Sequence, residues 1–257
     1  MNSIEIKGLE IIERIGEFVG DKPVVIGLSG GVDSALVATM LCDALPSIDH
    51  IIPVCMPSDQ SPSLDQQCVD ALVKELGLNE PFTIPIGELN SEFIKLILRT
   101  TTYDKPTALD RGNLSARLRM SILYWIAGHV NGLVAGTGNR TEHEIGYFTK
   151  WGDGANDFEP IASLWKCEVY RLARALGVPD IILDRPPSAC LWEGQTDEEE
   201  FGMSYEQLDL HLDWLSGDYH PYTWYLSNKT KISVDTLKQV ILLRNGSSHK
   251  KHMPPTL

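Results

Sequence analysis

The chain has 257 residues, of which 43% are hydrophobic, and carries a formal net charge of −13 from 22 basic and 35 acidic side chains. Such an acidic chain is a poor general ligand for nucleic acid, because phosphates need a basic face, so we expect no nucleic-acid partner. No run of eighteen apolar residues appears, and the first residues lack the basic and apolar regions of a signal peptide. We therefore expect no membrane contact and a cytoplasmic location.

Short apolar runs alternate with helical patterns along the chain, and glycines close several of the helices. The patterns predict helices over residues 9–19, 33–45, 64–76, 112–130 and 164–176. They predict strands over residues 24–28, 50–56, 82–86 and 132–136. Because strands that alternate with helices form a parallel sheet covered on both faces, we expect an α/β fold with a doubly wound parallel sheet flanked by helices. We expect a single domain over residues 1–257.

Two segments depart from this alternation. Residues 185–202, RPPSACLWEGQTDEEEFG, mix prolines, glycines and acids, and this composition predicts an exposed loop. The last residues, SSHKKHMPPTL, are basic and contain prolines, which alone is typical of a disordered terminus. The five cysteines are widely spaced without a CxxC pair, which favours free, buried thiols over disulfides or a zinc site.

The first predicted strand runs directly into a glycine turn, VVIGLSGGVDS over residues 24–34. The carboxyl ends of parallel strands face the ligand crevice, and the unpaired N–H groups of the following helix favour an anion. Gly30 and Gly31 lack a Cβ atom, so the backbone can approach phosphate oxygens closely. Asp33 would repel those phosphates unless a cation lay between them, and magnesium accepts both kinds of oxygen. The alternative is a plain turn with Asp33 as a helix cap, but the whole string favours a phosphate site.

The string SGGVDS is neither GxxxxGK[ST] nor GxGxxG. It resembles the pyrophosphate loop, or PP-loop, of the N-type ATP pyrophosphatases. The resemblance implies an enzyme that cleaves ATP between its α and β phosphates and adenylates an oxygen, after which a nucleophile displaces AMP. It also implies that the loop residues bind ATP, namely Gly27, Leu28, Ser29, Gly30, Gly31, Val32, Asp33 and Ser34.

Further sequence motifs, taken in chain order, indicate which of these enzyme families the chain resembles. They are GNLSARLRM (112–120), GTGNRTE (136–142), GYFTKWGDG (146–154) with Asp157, PSACLWEGQTDE (187–198) and SHK (248–250). Together they strongly resemble the NAD synthetase family. This resemblance implies a Rossmann-like fold of the adenine nucleotide alpha hydrolase type and a homodimer. It further implies ATP-dependent amidation of deamido-NAD with ammonia, which gives NAD, AMP and pyrophosphate by way of an adenylated carboxylate.

In this family a nitrilase-like domain supplies ammonia from glutamine, and the sequence shows no such domain before the first predicted helix. We therefore expect the ammonia-dependent form, a carbon–nitrogen ligase at the last step of NAD biosynthesis. One alternative is another PP-loop ATP pyrophosphatase, such as a GMP synthetase core or a tRNA thiolase-like enzyme. A thiolase usually has paired cysteines and a basic RNA surface, which this sequence lacks. A regulatory module that only binds nucleotide is a second alternative, although it has no need of two metal-binding carboxylates.

The resemblance assigns Mg²⁺ to Asp33 and Glu142, and contacts with ATP to Thr137, Lys166 and Ser188. The cation of Lys166 would offset the charge that grows on the departing pyrophosphate, so Asp33 and Lys166 are the candidate catalytic residues. Ser188 replaces the family's threonine but keeps the hydroxyl. Without the motifs, the plain alternatives are a solvated acid for Glu142, a helix cap for Thr137 and an exposed lysine for Lys166.

Six residues match positions that bind deamido-NAD in the family: Arg117, Tyr147, Lys150, Asp157, His249 and Lys250. A structural ion pair is an equal explanation of Arg117. Tyr147 and Phe148 either stack on the pyridine ring of the substrate or belong to the core.

Two mechanistic expectations follow from the family reaction. The nicotinate carboxylate is already ionised, so its attack on the α-phosphorus needs no general base. The adenylate must then be kept from water, and residues 185–202 are the candidate lid. For the homodimer, residues 118, 122, 125 and 126 of the long helix offer apolar surface that suits a dimer face and a monomer core equally.

Overall fold

The computed structural model describes residues 3–59, 61–188, 196–218 and 232–252. Its strands are β1 (Val24–Gly27), β2 (Ile51–Cys55), β3 (Phe82–Thr83) and β4 (Leu133–Ala135). The helices of the amino-terminal half are α1 (Ser3–Val19), α2 (Val32–Ala44), α3 (Ser63–Leu76), α4 (Gly87–Thr100) and α5 (Ala108–Val130). Those of the carboxyl-terminal half are α6 (Arg140–Ile145), α7 (Lys166–Ala175), α8 (Asp180–Leu183), α9 (Asp197–Phe201), α10 (Tyr205–Ser216) and α11 (Val234–Gly246). Short 3₁₀ helices cover Ile48–His50 and Ser248–Lys250.

The four strands form one parallel sheet in the order β3-β2-β1-β4. Alternate residues of β1 point to opposite faces, as the period of a strand requires. Val24 and Ile26 join a core with residues of α1, α2 and α7, whereas Val25 joins a second core with Ile126 of α5. Both faces of the sheet are therefore covered by helices, which confirms the predicted α/β fold.

The sheet brings two strand ends to one edge. β1 lies between β2 and β4, and its residues Val24 and Val25 pair with Leu133 and Val134 of β4. Because the strands are parallel, the turn that leads to α2 and the turn that leads to α6 leave the sheet on the same side. This edge holds the candidate site.

The third strand and the helix that follows it differ from the sequence prediction. The predicted strand 82–86 is reduced to Phe82–Thr83. The N–H groups of Ile84 and Ile86 still donate to carbonyls at the end of β2 and just beyond it. Helix α4 then begins at Gly87 and was not predicted. Helix α5 also begins earlier than predicted, at Ala108, because Thr107 and Asp110 form a reciprocal capping box there.

The prediction of an exposed loop over residues 185–202 is wrong for its last part. Residues 197–201 form α9, in which Asp197 and Phe201 are buried. The ring of Phe201 packs edge-on against those of Tyr147 and Tyr205, so local composition was overruled by aromatic packing. Residues 189–195, which include Cys190 and the middle of the candidate lid, lie outside the described residues.

The described cysteines are free thiols, as predicted: Cys42, Cys55, Cys68 and Cys167. All but the half-buried Cys42 are buried. Among the described residues, no helix has the length and apolarity needed to cross a membrane. At the end of the chain, residues 248–250 form a 3₁₀ turn rather than a disordered segment, and residues 253–257 are not described.

Candidate active site

The glycine loop (residues 27–34) forms a tight turn between β1 and α2. Gly30 has a φ of +76°, and a Cβ atom there would lie 2.7 Å from the carbonyl oxygen of Asp65. The Ser29 and Ser34 hydroxyl groups lie 3.2 Å apart, and the Ser34 hydroxyl also donates to the carbonyl of Gly31. No side chain caps the start of α2, so its first N–H groups point into the space beyond the turn. This loop can hold an anion.

Three charged side chains from different elements meet beside the glycine loop. The Nζ atom of Lys166 lies 2.5 Å from Oδ2 of Asp33 and 3.2 Å from Oε1 of Glu142. The Lys166 side chain is only 3% exposed, and the two carboxylate side chains are 17% and 18% exposed. The interpretations of Lys166 as an exposed lysine and Glu142 as a solvated acid are therefore wrong.

The three charges perturb one another. Burial alone would lower the pKa of Lys166, but the carboxylates of Asp33 and Glu142 outweigh it and raise that pKa. Burial raises the pKa of Glu142 to about 7, against the opposing attraction of Lys166, and the negative charge of Asp33 adds to the rise. Lys166 therefore stays cationic at neutral pH, between two acids that need a cation beside them.

Asn139 joins the two acids and was not identified from the sequence. Its Nδ2 atom donates to Oδ1 of Asp33 at 2.9 Å, and its Oδ1 accepts the N–H of Glu142 at 3.0 Å. In return, Oε2 of Glu142 accepts the N–H of Asn139 at 3.3 Å, which completes a capping box at the start of α6. The pattern N-x-x-E within GTGNRTE was the signal for this cap.

The donor set fits a magnesium ion that is shared with phosphates. Asp33 and Glu142 offer hard carboxylate oxygens that converge on one point, now taken by the Lys166 ammonium group. Within the part of the chain that the structure describes, no group of three or more His, Cys, Asp and Glu side chains could hold a metal. Since Mg²⁺ is commonly bound through one or two carboxylates together with substrate phosphates and water, two carboxylates are sufficient.

A cavity of about 720 Å³ opens next to these charges and the glycine loop. Every residue of the glycine loop lines it except Gly30. The other predicted site residues that line it are Thr137, Glu142, Tyr147, Lys166, Ser188 and Lys250. The volume lies within the range of cavities that enclose small organic ligands.

Three of the residues that match deamido-NAD positions form a chain of hydrogen bonds outside this cavity. The Nε atom of Arg117 donates to the carbonyl of Lys150 at 3.3 Å, and Nζ of Lys150 donates to the carbonyl of His249 at 2.8 Å. Lys250, the next residue, lines the cavity and donates to the carbonyls of Gly146 and Phe148. The basic end of the chain thus folds back beside the site. Arg117 contacts a backbone carbonyl, not an acid, which removes the reason for interpreting it as an ion pair.

Asp157 is not brought to the cavity. Its Oδ2 atom accepts the N–H of Val134 in β4 at 2.7 Å, and its Oδ1 atom accepts a hydrogen bond from the hydroxyl of Tyr124 at 3.4 Å. These bonds attach Asp157 to the sheet. Its expected contact with the dinucleotide stays a prediction.

Sequence reasoning missed four acids that line the cavity: Asp65, Asp153, Asp197 and Glu200. The hydroxyl of Tyr147 donates to both Asp197 and Glu200, at 3.1 and 2.8 Å, so this tyrosine is held by acids as well as by ring packing. The N–H of Asp197 also donates to the carbonyl of Pro187. Asp153 stands in the GYFTKWGDG string, but a turn between glycines explained it equally well from sequence alone.

Comparisons with known proteins give one consistent result. A family model described as NAD synthase matches residues 9–254. The chain is 41% identical over 250 residues to the NH(3)-dependent NAD(+) synthetase of Methanosarcina mazei, and the match covers 94% of this chain and 95% of that protein.

Solved structures agree over the whole chain. The NMN synthetase from Francisella tularensis superposes with a TM-score of 0.85 at 34% identity, covering 100% of this chain and 99% of that one. The NH3-dependent NAD synthetase from Campylobacter jejuni subsp. jejuni, solved in complex with the nitrate ion, has a TM-score of 0.77 at 29% identity and full coverage of both chains.

Proposed function

The chain belongs to the NAD synthase family, and from this membership we infer its reaction. It is an ammonia-dependent carbon–nitrogen ligase that amidates deamido-NAD at the expense of ATP and gives NAD, AMP and pyrophosphate. The other PP-loop enzymes considered from the sequence, a GMP synthetase core and a tRNA thiolase, are set aside by the family match.

The observation that best supports this reaction at the cavity is the position of the Lys166 ammonium group. It lies between Asp33 and Glu142, beside the start of α2, whose first N–H groups have no side-chain cap and are suited to hold phosphate. Formation of an adenylate requires two anions, ATP and a carboxylate, to approach each other. A buried cation and two metal-binding acids at one point offset that repulsion in surroundings where electrostatic interactions are strong.

We assign the following roles to the residues at this point. The glycine loop holds the phosphates of ATP through its N–H groups and hydroxyls, and Thr137 and Ser188 make further contacts from the cavity wall. Lys166 exchanges its carboxylate partners for the phosphates and offsets the charge that grows on departing pyrophosphate. Asp33 and Glu142 would hold Mg²⁺, which when bound screens the phosphate charges.

The dinucleotide acid binds on the side of the cavity where the basic end of the chain lies. Arg117, Lys150 and Lys250 gather positive charge there in an otherwise acidic protein, and the carbonyl of His249 accepts a hydrogen bond from Lys150. Tyr147 presents its ring to the cavity, while its hydroxyl is held by acids. Asp157, which is hydrogen-bonded to β4 outside the cavity, is the last of the residues that we propose to bind deamido-NAD.

The two chemical steps use these groups differently. In the first, an oxygen of the nicotinate carboxylate attacks the α-phosphorus and pyrophosphate leaves, and the protein contributes by holding both anions in line. In the second, the nitrogen of ammonia attacks the carboxyl carbon and AMP leaves. Ammonium must lose a proton before its nitrogen can attack, and we assign its acceptance to Asp153, Asp197 or Glu200, which line the cavity. Closure of residues 185–202 would protect the adenylate from water.

A homodimer and a cytoplasmic location complete the proposal. Helix α4 presents Leu89, Phe93 and Leu96 to solvent, and Trp125 of α5 is 73% exposed, whereas Ile126 is buried in the core. Large apolar side chains grouped on an exposed face are typical of a protein–protein contact. The cytoplasm fits ATP as co-substrate and the free thiols among the described cysteines.

A single assay tests the proposed function. Purified protein is given ATP, Mg²⁺ and deamido-NAD, with either ammonium or glutamine as nitrogen donor, and NAD, AMP and pyrophosphate are measured. We expect the three products in equal amounts with ammonium, and no NAD with glutamine. Since one structural neighbour is named an NMN synthetase, the mononucleotide acid is tested in parallel, and xanthosine monophosphate controls for the GMP synthetase alternative. Release of ADP, or product from another acid alone, would overturn the proposal.

A further inference from the structure

Helix α10 carries three polar residues, Tyr205, Asp209 and Asp213, on one buried face. They recur every fourth residue, so they lie above one another on the helix. Their exposed fractions are 4%, 0% and 2%. A carboxylate without exposed surface is costly unless it is fully hydrogen-bonded, so the partners of Asp209 and Asp213 show what this face does.

The partners of Asp209 are the two helices that carry Glu142 and Lys166. Its Oδ1 atom accepts the hydroxyl of Thr141 at 2.5 Å, and its Oδ2 atom accepts the N–H of Cys167 at 2.9 Å. The Thr141 hydroxyl oxygen in turn accepts the N–H of Lys166 at 2.8 Å. One buried carboxylate therefore joins α6 to the first turn of α7, next to the residues whose side chains meet at the active site.

The other two residues of this face act at its two ends. Oδ1 of Asp213 accepts the indole N–H of Trp165, the residue that precedes α7. The ring of Tyr205 lies under the Lys166 ammonium group, 5.2 Å from it, and its hydroxyl donates to the cavity acid Asp197. The three polar residues of this face thus contact α6, the start of α7 and the cavity acid Asp197.

These bonds set the distance between two charges that the reaction needs. Lys166 is the first residue of α7, and Glu142 is the third residue of α6, a helix of only six residues. A helix this short cannot fix its own position, because isolated helices of such length are unstable. The link through Thr141 and Asp209 fixes the relative position of α6 and α7, and with it the reach of Lys166 toward Asp33 and Glu142.

We propose that Asp209 is a positioning residue for the adenylation step, acting through Thr141 and the first turn of α7 to hold the Lys166 ammonium group at the metal-binding acids. The inference rests on the proposed function. The residue does not touch the cavity, so its effect on the reaction must pass through Lys166 and Glu142. A displacement of about 1 Å at a reacting centre can lower a rate about 10²-fold.

The test compares variants of Asp209 and Thr141 in the full-length enzyme. In Asp209→Asn one acceptor oxygen is lost, and in Thr141→Val the hydroxyl is lost at nearly constant volume. For both we expect kcat of NAD formation to fall about 10²-fold while KM for ATP stays within about threefold, because the glycine loop is untouched. Thr141→Ser restores the hydroxyl and should recover most of kcat. Glu206→Gln, on the exposed face of the same helix, is the control and should behave as the unmodified enzyme.

The double variant separates positioning from simple support of the fold. If Asp209 and Thr141 act through one hydrogen bond, the loss in Asp209→Asn/Thr141→Val should equal that of the more damaged single variant and not the product of the two. Should Asp209→Asn not fold, the Thr141→Val and Thr141→Ser pair decides alone. Variants with normal kcat per folded molecule and only a lower melting temperature would overturn the inference. If the unmodified enzyme itself makes no NAD, the proposed function fails instead.

Discussion

The ammonium group of Lys166 lies 2.5 Å from a carboxylate oxygen of Asp33, although 133 residues separate the two in sequence. Asp33 comes from the first turn of α2, after β1, and Lys166 from the start of α7, after the polypeptide has passed through β4 and α6. Their meeting is possible because β1 and β4 are neighbours in the sheet and release the chain at the same edge. The folded chain thus places a cation and two acids at the point where the glycine loop would hold phosphate.

Replacing Asp33 by asparagine should abolish adenylation while leaving the glycine loop in place. The variant loses one of two candidate metal-binding carboxylates, so the rate of pyrophosphate release should fall at least about 10³-fold, in line with the loss of a main electrostatic group. The measurement is pyrophosphate release with saturating ATP, Mg²⁺ and deamido-NAD. Asp43→Asn, an exposed acid on the same helix, is the matched control and should keep full activity. Normal AMP formation by Asp33→Asn would disprove the assignment.

Replacing Lys166 by methionine should make the protein sensitive to magnesium before ATP is added. Without the ammonium group, Asp33 and Glu142 converge on one point with no cation, and a divalent ion then gains a site that lysine blocks in the unmodified enzyme. At pH 8, millimolar Mg²⁺ should raise the melting temperature of Lys166→Met by several degrees and that of the unmodified enzyme much less.

The control for this experiment is KCl at the same ionic strength, which tests whether the shift is simple screening of charge. Equal shifts for the two proteins, or equal effects of the two salts, would count against a metal site formed by these acids. Activity of Lys166→Met should be lost in either case, so the thermal shift and not the rate carries this prediction.

Gly30→Ala should destabilise the protein more than the same change at Gly77. Both glycines have positive φ values, +76° and +62°, where an alanine costs about 1 kcal/mol. Only at Gly30 does the added Cβ atom also meet a backbone carbonyl, that of Asp65, at 2.7 Å. Urea unfolding should show an extra loss of roughly 1–3 kcal/mol for Gly30→Ala, accompanied by a higher KM for ATP. Equal losses at the two positions would mean that the loop moves freely away from α3.

Local sequence predicted the elements whose patterns are complete within a short window. The apolar run from Val24 followed by two glycines specified β1, the turn and α2. Gly77 closes α3 as predicted, and the structure shows that it does so in a left-handed conformation. Helix α4 was missed although its apolar residues have helical spacing, and the predicted strand before it extended three residues beyond the observed β3. The error lay in a boundary, where the N–H groups of Ile84 and Ile86 donate to the carbonyls of Cys55 and Pro57 and hold the segment against β2.

The sequence predicted several residues of the candidate site but not the hydrogen bonds that hold them together. Asp33 and Glu142 were identified by motif, whereas the bridge through Asn139 and the support from Asp209 depend on distances between elements that no local pattern encodes. Asp209 stands in a helix that sequence reasoning did not assign, and in sequence it has the appearance of a surface acid. Its burial becomes evident only once α6, α7 and α10 are packed together.

The stability contribution of Asp209 should depend on pH in a defined direction. Burial raises the pKa of Asp209 to about 6, although hydrogen bonds from Thr141 and Cys167 oppose the rise and the charge of Glu168 adds to it. A carboxyl group whose pKa is higher in the folded state binds more protons there, so its contribution to the free energy of unfolding decreases as pH rises from about 4 to about 6. Glu168 lies on α7 and is itself paired with Lys7.

Asp209→Asn lacks this titration, so the comparison isolates it. The stability advantage of the unmodified protein over the variant should shrink by roughly 1 kcal/mol between pH 5 and pH 7. Urea unfolding of both proteins at several pH values measures the difference. An advantage that grows with pH would show that Asp209 is held as a stabilised anion instead.

The exposed apolar face of α4 should be the contact between two copies of the chain. Leu89, Phe93 and Leu96 are 47%, 44% and 60% exposed and lie on one side of the helix, because they are spaced by four and three residues. Leu96→Glu would place a charge in the centre of a buried interface, where it is strongly unfavourable. Sedimentation velocity at micromolar concentration should therefore show a dimer for the unmodified protein and a monomer for the variant. Leu242→Glu makes the same change at a residue 72% exposed on α11 and should leave the dimer intact. A monomeric unmodified protein, or dissociation by both changes, would contradict an interface on α4.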